Sequence, residues 1–157
     1  MATESNISYV SPPPTAAQFV EVSVNTETGE IKPERLLMVV DCGRVINPIT
    51  ATGQVEGGMV QALGFATSEE TYFDEKGNII NSSFRTYKVP SVIELPPIDV
   101  IFIQTDEPSG PYGAKSVAEI SMDGVAPALV NAIHNATGVW FHDLPLTSGK
   151  ILSGLKK

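Results

Sequence analysis

The chain has 157 residues, 42% of them hydrophobic, with a mean hydropathy close to zero, a profile that fits one soluble globular domain and sets aside wholesale disorder and a membrane span. Ten Lys and Arg stand against 18 Asp and Glu, and the formal net charge of −8 argues against DNA or RNA as a partner, because polyanion binding needs clustered basic side chains. A single cysteine, Cys42, excludes an internal disulfide, an iron–sulfur cluster and a thiolate zinc site, so any redox chemistry here borrows its cofactor.

Residues 1–16, with Ser11-Pro-Pro-Pro-Thr15, read as a flexible or extended lead-in, because consecutive prolines give a sheet no donors. The first residues lack the basic and apolar blocks of a signal peptide, which makes a cytoplasmic location the expectation. The folded domain is expected over 17–157, starting near Gln18. Alternation from Phe19 to Val24, turn chemistry at Asn25–Gly29 and the apolar run Leu36–Val40 predict a β-hairpin. Asn47-Pro48, an N-cap followed by proline at the first helical position, predicts a helix from Pro48 to about Ala66. Glu70–Phe73 and Ile79-Ile80 around Asp74–Asn78 read as a second hairpin. Ile98–Ile103 reads as a strand and Asp106–Gly113 as a loop rich in Gly and Pro. Apolar residues from Ile120 to Ala136 recur at three- and four-residue spacing and predict one long helix over about Val117–Thr137, with Gly138 as its stop. A short helix near Ser148–Leu155 ends the chain. Hairpins mixed with two longer helices place the fold in the α+β class. Charged residues make up 18% against 13 Gly and 12 Pro, less charge than the roughly 25% of a typical domain. That balance suggests many turns and surface buried against something else.

Two segments stand out chemically. Gly57-Gly58 falls inside the first predicted helix, although glycine there costs about 0.8–1.0 kcal/mol relative to alanine. Either another element packs closely on that face or a bulky ligand does, with the Gln54 amide offering donors and an acceptor to a heterocycle. Gly113-Ala-Lys-Ser-Val-Ala-Glu119 is a loop of small residues leading into the long predicted helix, where free N–H groups favour anions and ligand oxygens. Glu119 would then lie in the first helical turn, as a helix-start charge or as a general base tuned by burial.

Taken in series, Asp41-Cys-Gly-Arg-Val-Ile-Asn-Pro48, Gly53-Gln-Val-Glu-Gly-Gly58, Gln61-Ala-Leu-Gly64 with Glu69-Glu70, Gly113–Glu119, Ala132–Gly138 and Leu144-Pro145 resemble the C-terminal part of the molybdopterin-binding subunit of xanthine dehydrogenase and aldehyde oxidase-type molybdenum hydroxylases. The resemblance runs from about Gln18 to Leu152. It implies a molybdopterin-type cofactor whose metal takes no protein side chain as ligand. Gln54, with Gly57 and Gly58, would lie against the pterin, and the backbone of Lys115, Ser116, Val117 and Ala118 would line the metal site. Glu119 matches the family's catalytic base, which takes the proton from the metal-bound hydroxyl during hydroxylation of an N-heterocycle or an aldehyde. The resemblance further implies iron–sulfur clusters and FAD on partner subunits, and a remaining molybdenum-subunit portion that completes the pocket. The chain alone is expected not to turn over, as a small subunit of a split enzyme, a truncation or an excised piece. Ala118 and Ile120 depart from the glycine and proline that usually flank this glutamate.

Other residues carry structural expectations. Cys42 is expected in the core, His134 as a satisfied structural histidine of the apolar helix region, Trp140 and Phe141 over the core, Asp74-Glu75 in a solvent-facing turn, and Arg44 in an ion pair with Asp41. The rival to the enzyme reading is a non-catalytic assembly module of the same fold. A small hydrolase is disfavoured because no base–nucleophile pair stands out.

Overall fold

The structure, a computed structural model, describes residues 10–156; residues 1–9 of the expected lead-in lie outside them. Strands β1 (Thr15–Val24), β2 (Ile31–Asp41) and β3 (Ile98–Phe102) form a sheet in the order β1-β2-β3. β1 and β2 are the expected antiparallel hairpin, and β1 begins at Thr15, ahead of Gln18. β3 runs parallel to β2, so the sheet is mixed. Among the described residues four α-helices complete the fold: α1 (Pro48–Thr67), α2 (Ile120–Asp123), α3 (Val125–Thr137) and α4 (Ser148–Leu155). The class is α+β.

Period-2 patterning decides which face of the sheet is covered. Leu36, Met38 and Val40 of β2 are wholly buried, and the register sets Ile98, Val100 and Phe102 of β3 beside them. Val55, Met59 and Ala66 of α1, Val125, Leu129 and Ile133 of α3, and Ile151 of α4 close over this face. α3 packs on β1 and α1 near β3, so the two long helices lie side by side on one face. α1 begins as the sequence predicts: the Asn47 side chain accepts from the Ile49 and Thr50 N–H groups, and Pro48 occupies the first turn.

The second half of the chain departs from expectation in two places. The hairpin around Asp74–Asn78 reduces to one bridge, Phe73 with Ile79, plus an Ile80 N–H bond to the Tyr72 carbonyl. Too few backbone pairs form there for strands, although the Asp74 carboxylate does organise the turn by accepting from the N–H groups of Lys76 and Asn78. The predicted helix over 117–137 is broken. Residues 114–119 carry no helical structure, α2 is a single turn, and α3 restarts at Val125 after Gly124. The cause is long-range. The buried part of Gln18 on β1 donates through Nε2 to the carbonyls of Ile120 (3.0 Å) and Ser121 (3.1 Å), acceptors that an unbroken helix would have given to Gly124 and Val125. A side chain at Gly124 would run into Gln18. Pro127 fits the first turn of α3 but could not have sat inside a continuous helix. Gly138 ends α3 with φ of +75°, as the sequence predicts.

Candidate functional site

The two singled-out segments meet at one cleft. The end of β2 and the 113–115 loop bridge each other: the Arg44 N–H donates to the Gly113 carbonyl at 2.8 Å and the Lys115 N–H to the Cys42 carbonyl at 2.7 Å. Gly43 permits this approach, with φ of +67° and a position where a Cβ would come within 2.4 Å of the Gly113 carbonyl oxygen. The loop is then clamped by an ion pair. Lys115 Nζ lies 2.8 Å from Asp41 Oδ2, with the two side chains only 12% and 15% exposed. Asp41 also accepts from the Gly43 N–H and the Thr105 hydroxyl, and the Lys115 ammonium above all holds its carboxyl below the usual aspartate range. The expected pair of Asp41 with Arg44 is thus replaced by Asp41 with Lys115, and Arg44 is exposed. Lys115 was singled out for its backbone; its side chain is the loop's anchor.

Between α1 and this loop lies a cleft of about 290 Å³, whose walls include Cys42, Asn47, Gln54, Lys115 and Val117. Gln54, on the second turn of α1, donates through Nε2 to the Ala118 carbonyl at 3.0 Å, so its amide orientation is set and its Oε1 has no partner among the described residues. The N–H groups of Ser116 and Val117 likewise find no acceptor among the described residues. Ser121 Oγ donates to the same Ala118 carbonyl at 3.2 Å. Glu119 follows directly, exposed, as the N-terminal flank of α2 with no capping bond of its own. It therefore does not lie in the first turn of a long helix, and the dipole argument for its ionisation does not apply to a one-turn helix.

The glycine pair divides into two roles. At Gly58, buried, a Cβ would fall 1.9 Å from Ser121 Oγ, so the missing side chain is taken up by α2 and not left for a ligand. At Gly57 a Cβ would meet nothing within 4 Å, which leaves a bare stretch of helix surface one turn beyond Gln54.

The neighbouring residues are structural. Cys42 is 3% exposed and burial pushes its thiol up, away from the nucleophilic thiolate. His134 stacks on Trp140 with centroids 3.8 Å apart, and its buried Nδ1 has no hydrogen-bond partner, so it is held by ring contact and not by a satisfied polar network. Trp140 is half exposed; only Phe141 packs on the core. The Asp74 carboxylate is engaged by Asn78 and the turn backbone, which hold its carboxyl low. Sequence reasoning missed Gln18 and Asp41 as organisers, although an amide on a strand otherwise lined by valine was a visible signal for Gln18.

This geometry has relatives. Residues 3–96 match the family model described as "Molybdopterin cofactor-binding domain". The chain belongs to that family. It is 39% identical over 154 residues to the "Probable hypoxanthine oxidase XdhD" of Escherichia coli (strain K12), covering 96% of this chain and 16% of that protein. It is 41% identical over 142 residues to the aldehyde oxidoreductase molybdenum-binding subunit PaoC of the same organism, covering 89% of this chain and 19% of that protein. The solved aldehyde oxidoreductase from Desulfovibrio gigas superposes with a TM-score of 0.83 at 29% identity, over 92% of this chain and 16% of that one. The domain is thus of the xanthine dehydrogenase and aldehyde oxidase group, the cofactor class of its family is molybdopterin, and the chain spans less than a fifth of the length of these relatives. No helix among the described residues is long and apolar enough to cross a membrane.

Proposed function

We propose that this chain forms one wall of the molybdenum site of a cytoplasmic hydroxylase acting on an N-heterocycle or an aldehyde, the two substrate classes named for XdhD and PaoC. The observation that carries the reading is an oriented Gln54 amide that shares one cleft with Lys115 and Val117, on a loop that also carries the open N–H groups of Ser116 and Val117 and the exposed Glu119. The donor set fits a molybdopterin complex. Gln54 Oε1 is a free acceptor for a ring N–H, the two backbone N–H groups suit anionic oxygens, and the bare surface at Gly57 lets a flat group approach. The chain would meet such a complex through amides and backbone N–H groups, with Lys115 tied back to Asp41. When bound, the cofactor supplies the two-electron oxidation and the oxygen-transfer chemistry.

The remaining work falls to this chain's own side chains. Glu119, exposed and with no cap bond, is the carboxylate on this loop that would take up a proton, as general-base catalysis requires. Ala118 presents its carbonyl inward to Gln54 and Ser121, which fixes the backbone from which Glu119 projects. Ala118 is exposed as a residue, so the change from the usual glycine is not absorbed in the core. The remaining molybdenum-subunit portion completes the pocket, iron–sulfur and flavin groups reside on partner subunits, and the chain alone is inactive.

The test is Glu119→Gln in the assembled enzyme. Turnover should drop by about 10²–10⁴-fold, the usual range for a lost general base, with molybdenum content unchanged. Near-normal turnover would remove Glu119 from the role and favour the assembly-module reading.

A further inference from the structure

Between α1 and β3 the chain runs over residues 68–97 without a strand or an α-helix, and this strap is exposed in an unusual way. Phe73 and Ile79 face each other across the single bridge, which sets Tyr72 and Ile80 on the opposite side of the hairpin. All four are about half exposed or more, so both faces of the hairpin leave apolar surface uncovered. Farther along, Phe84 is 94% and Ile93 89% exposed. Large apolar side chains scattered singly on a surface need no explanation, whereas a run of them in one short segment marks an interface.

The strap is also built. The Asn81 amide, buried, accepts from the Tyr72 N–H at 2.9 Å and donates to the Glu70 carbonyl at 2.6 Å. Ser68 Oγ donates to the Lys88 carbonyl at 2.9 Å, Glu94 accepts from the Ser91 N–H at 2.7 Å, and the Leu36 N–H donates to the Pro97 carbonyl at 3.0 Å. Polar bonds hold the backbone while the apolar side chains point outward, which is preorganisation for contact with another apolar surface.

We propose that the strap docks into an apolar surface of the remaining portion of a molybdenum-binding subunit, a proposal that rests on the reading of this chain as one wall of a larger site. Length argues for that occupant: the matched region makes up only 16% of XdhD and 19% of PaoC, so in these relatives the domain lives beside more than four-fifths of a longer polypeptide. Charge argues against a second copy, since two chains of net charge −8 repel. Position keeps the strap apart from the cleft. It leaves α1 after Thr67, thirteen residues or about 20 Å of helix beyond Gln54.

The test uses PaoC with its matching 142 residues deleted and tagged, co-expressed with the full chain. The wild-type chain should be captured, and a Phe84→Asp, Ile93→Asp double variant should lose capture by about tenfold or more, as loss of a buried apolar anchor does, with an unchanged thermal melt showing that it folds. Capture should persist in cells that make no molybdopterin, so that a failure of the cofactor reading leaves this result standing. No capture of the wild-type chain, capture indifferent to the double variant, capture only in the presence of molybdopterin, or strap-dependent self-association in place of capture would each overturn the proposal.

Discussion

The two ends of α1 face outward in opposite chemical styles. At its N-terminal end the groups are polar and individually placed: the Asn47 cap, the Gln54 amide on the Ala118 carbonyl, and the Asp41–Lys115 pair that clamps the adjoining loop. At its C-terminal end the chain leaves into a strap whose polar groups are spent on its own backbone and whose apolar side chains are bare. A few oriented donors and acceptors in a cleft suit a small polar ligand, and a held apolar strap suits a macromolecule. On the two proposals made above, chemistry and assembly fall at opposite ends of one helix.

Substitutions can break or sharpen that contrast. Beyond the loss of turnover expected for Glu119→Gln, the largest effect should come from Gly58→Leu. It forces atoms into the space held by Ser121 and should destabilise the isolated chain by about 3 kcal/mol, the upper part of the range for overpacking, read as a shift in urea midpoint. Asp41→Asn should cost about 2 kcal/mol at neutral pH, the scale of hydrogen bonds to a charged group. The sign with pH follows from a folded-state pKa held below the unfolded one. The stabilisation is complete above about pH 4, the ordinary aspartate value, and is lost as pH falls through the lower folded value, so the two proteins should converge in acid melts.

Smaller effects separate the two glycines and the two ends of the helix. Gly57→Ala should stabilise the isolated chain by about 0.5–1 kcal/mol, because alanine favours the helix and meets nothing there, while lowering retention of molybdenum in the assembled enzyme. A loss of stability at Gly57 would show that the surface is not bare. Phe84→Ser should change the isolated chain's stability by less than about 0.5 kcal/mol, as for a surface position, since Phe84 touches so little of its own fold.

Local chemistry made much of the fold legible. The β1–β2 hairpin, α1 with its Asn47-Pro48 start, β3, the Gly138 stop and α4 all follow from patterning and caps acting within a few residues. The break between α2 and α3 was hidden because its main cause, Gln18, acts from 102 residues away; Pro127 was the local sign. The parallel pairing of β3 depends on how α1 packs, which no short window contains. At the proposed site, the series of motifs singled out the two segments, and their arrangement was not legible. Lys115 reaches an aspartate 74 residues distant, and only the folded chain shows that Gly58 serves α2 while Gly57 stays open.

The central claim is that the cleft between α1 and the 113–119 loop helps hold a molybdenum cofactor. It is tested most directly by elemental analysis of molybdenum in the purified assembly of this chain with its partner polypeptides, wild type beside a Gln54→Leu, Gly57→Val double variant. The account predicts stoichiometric molybdenum in the wild-type assembly and a marked loss in the variant, with the assembly itself intact. An intact wild-type assembly without molybdenum, or a variant that keeps its full complement, would contradict it.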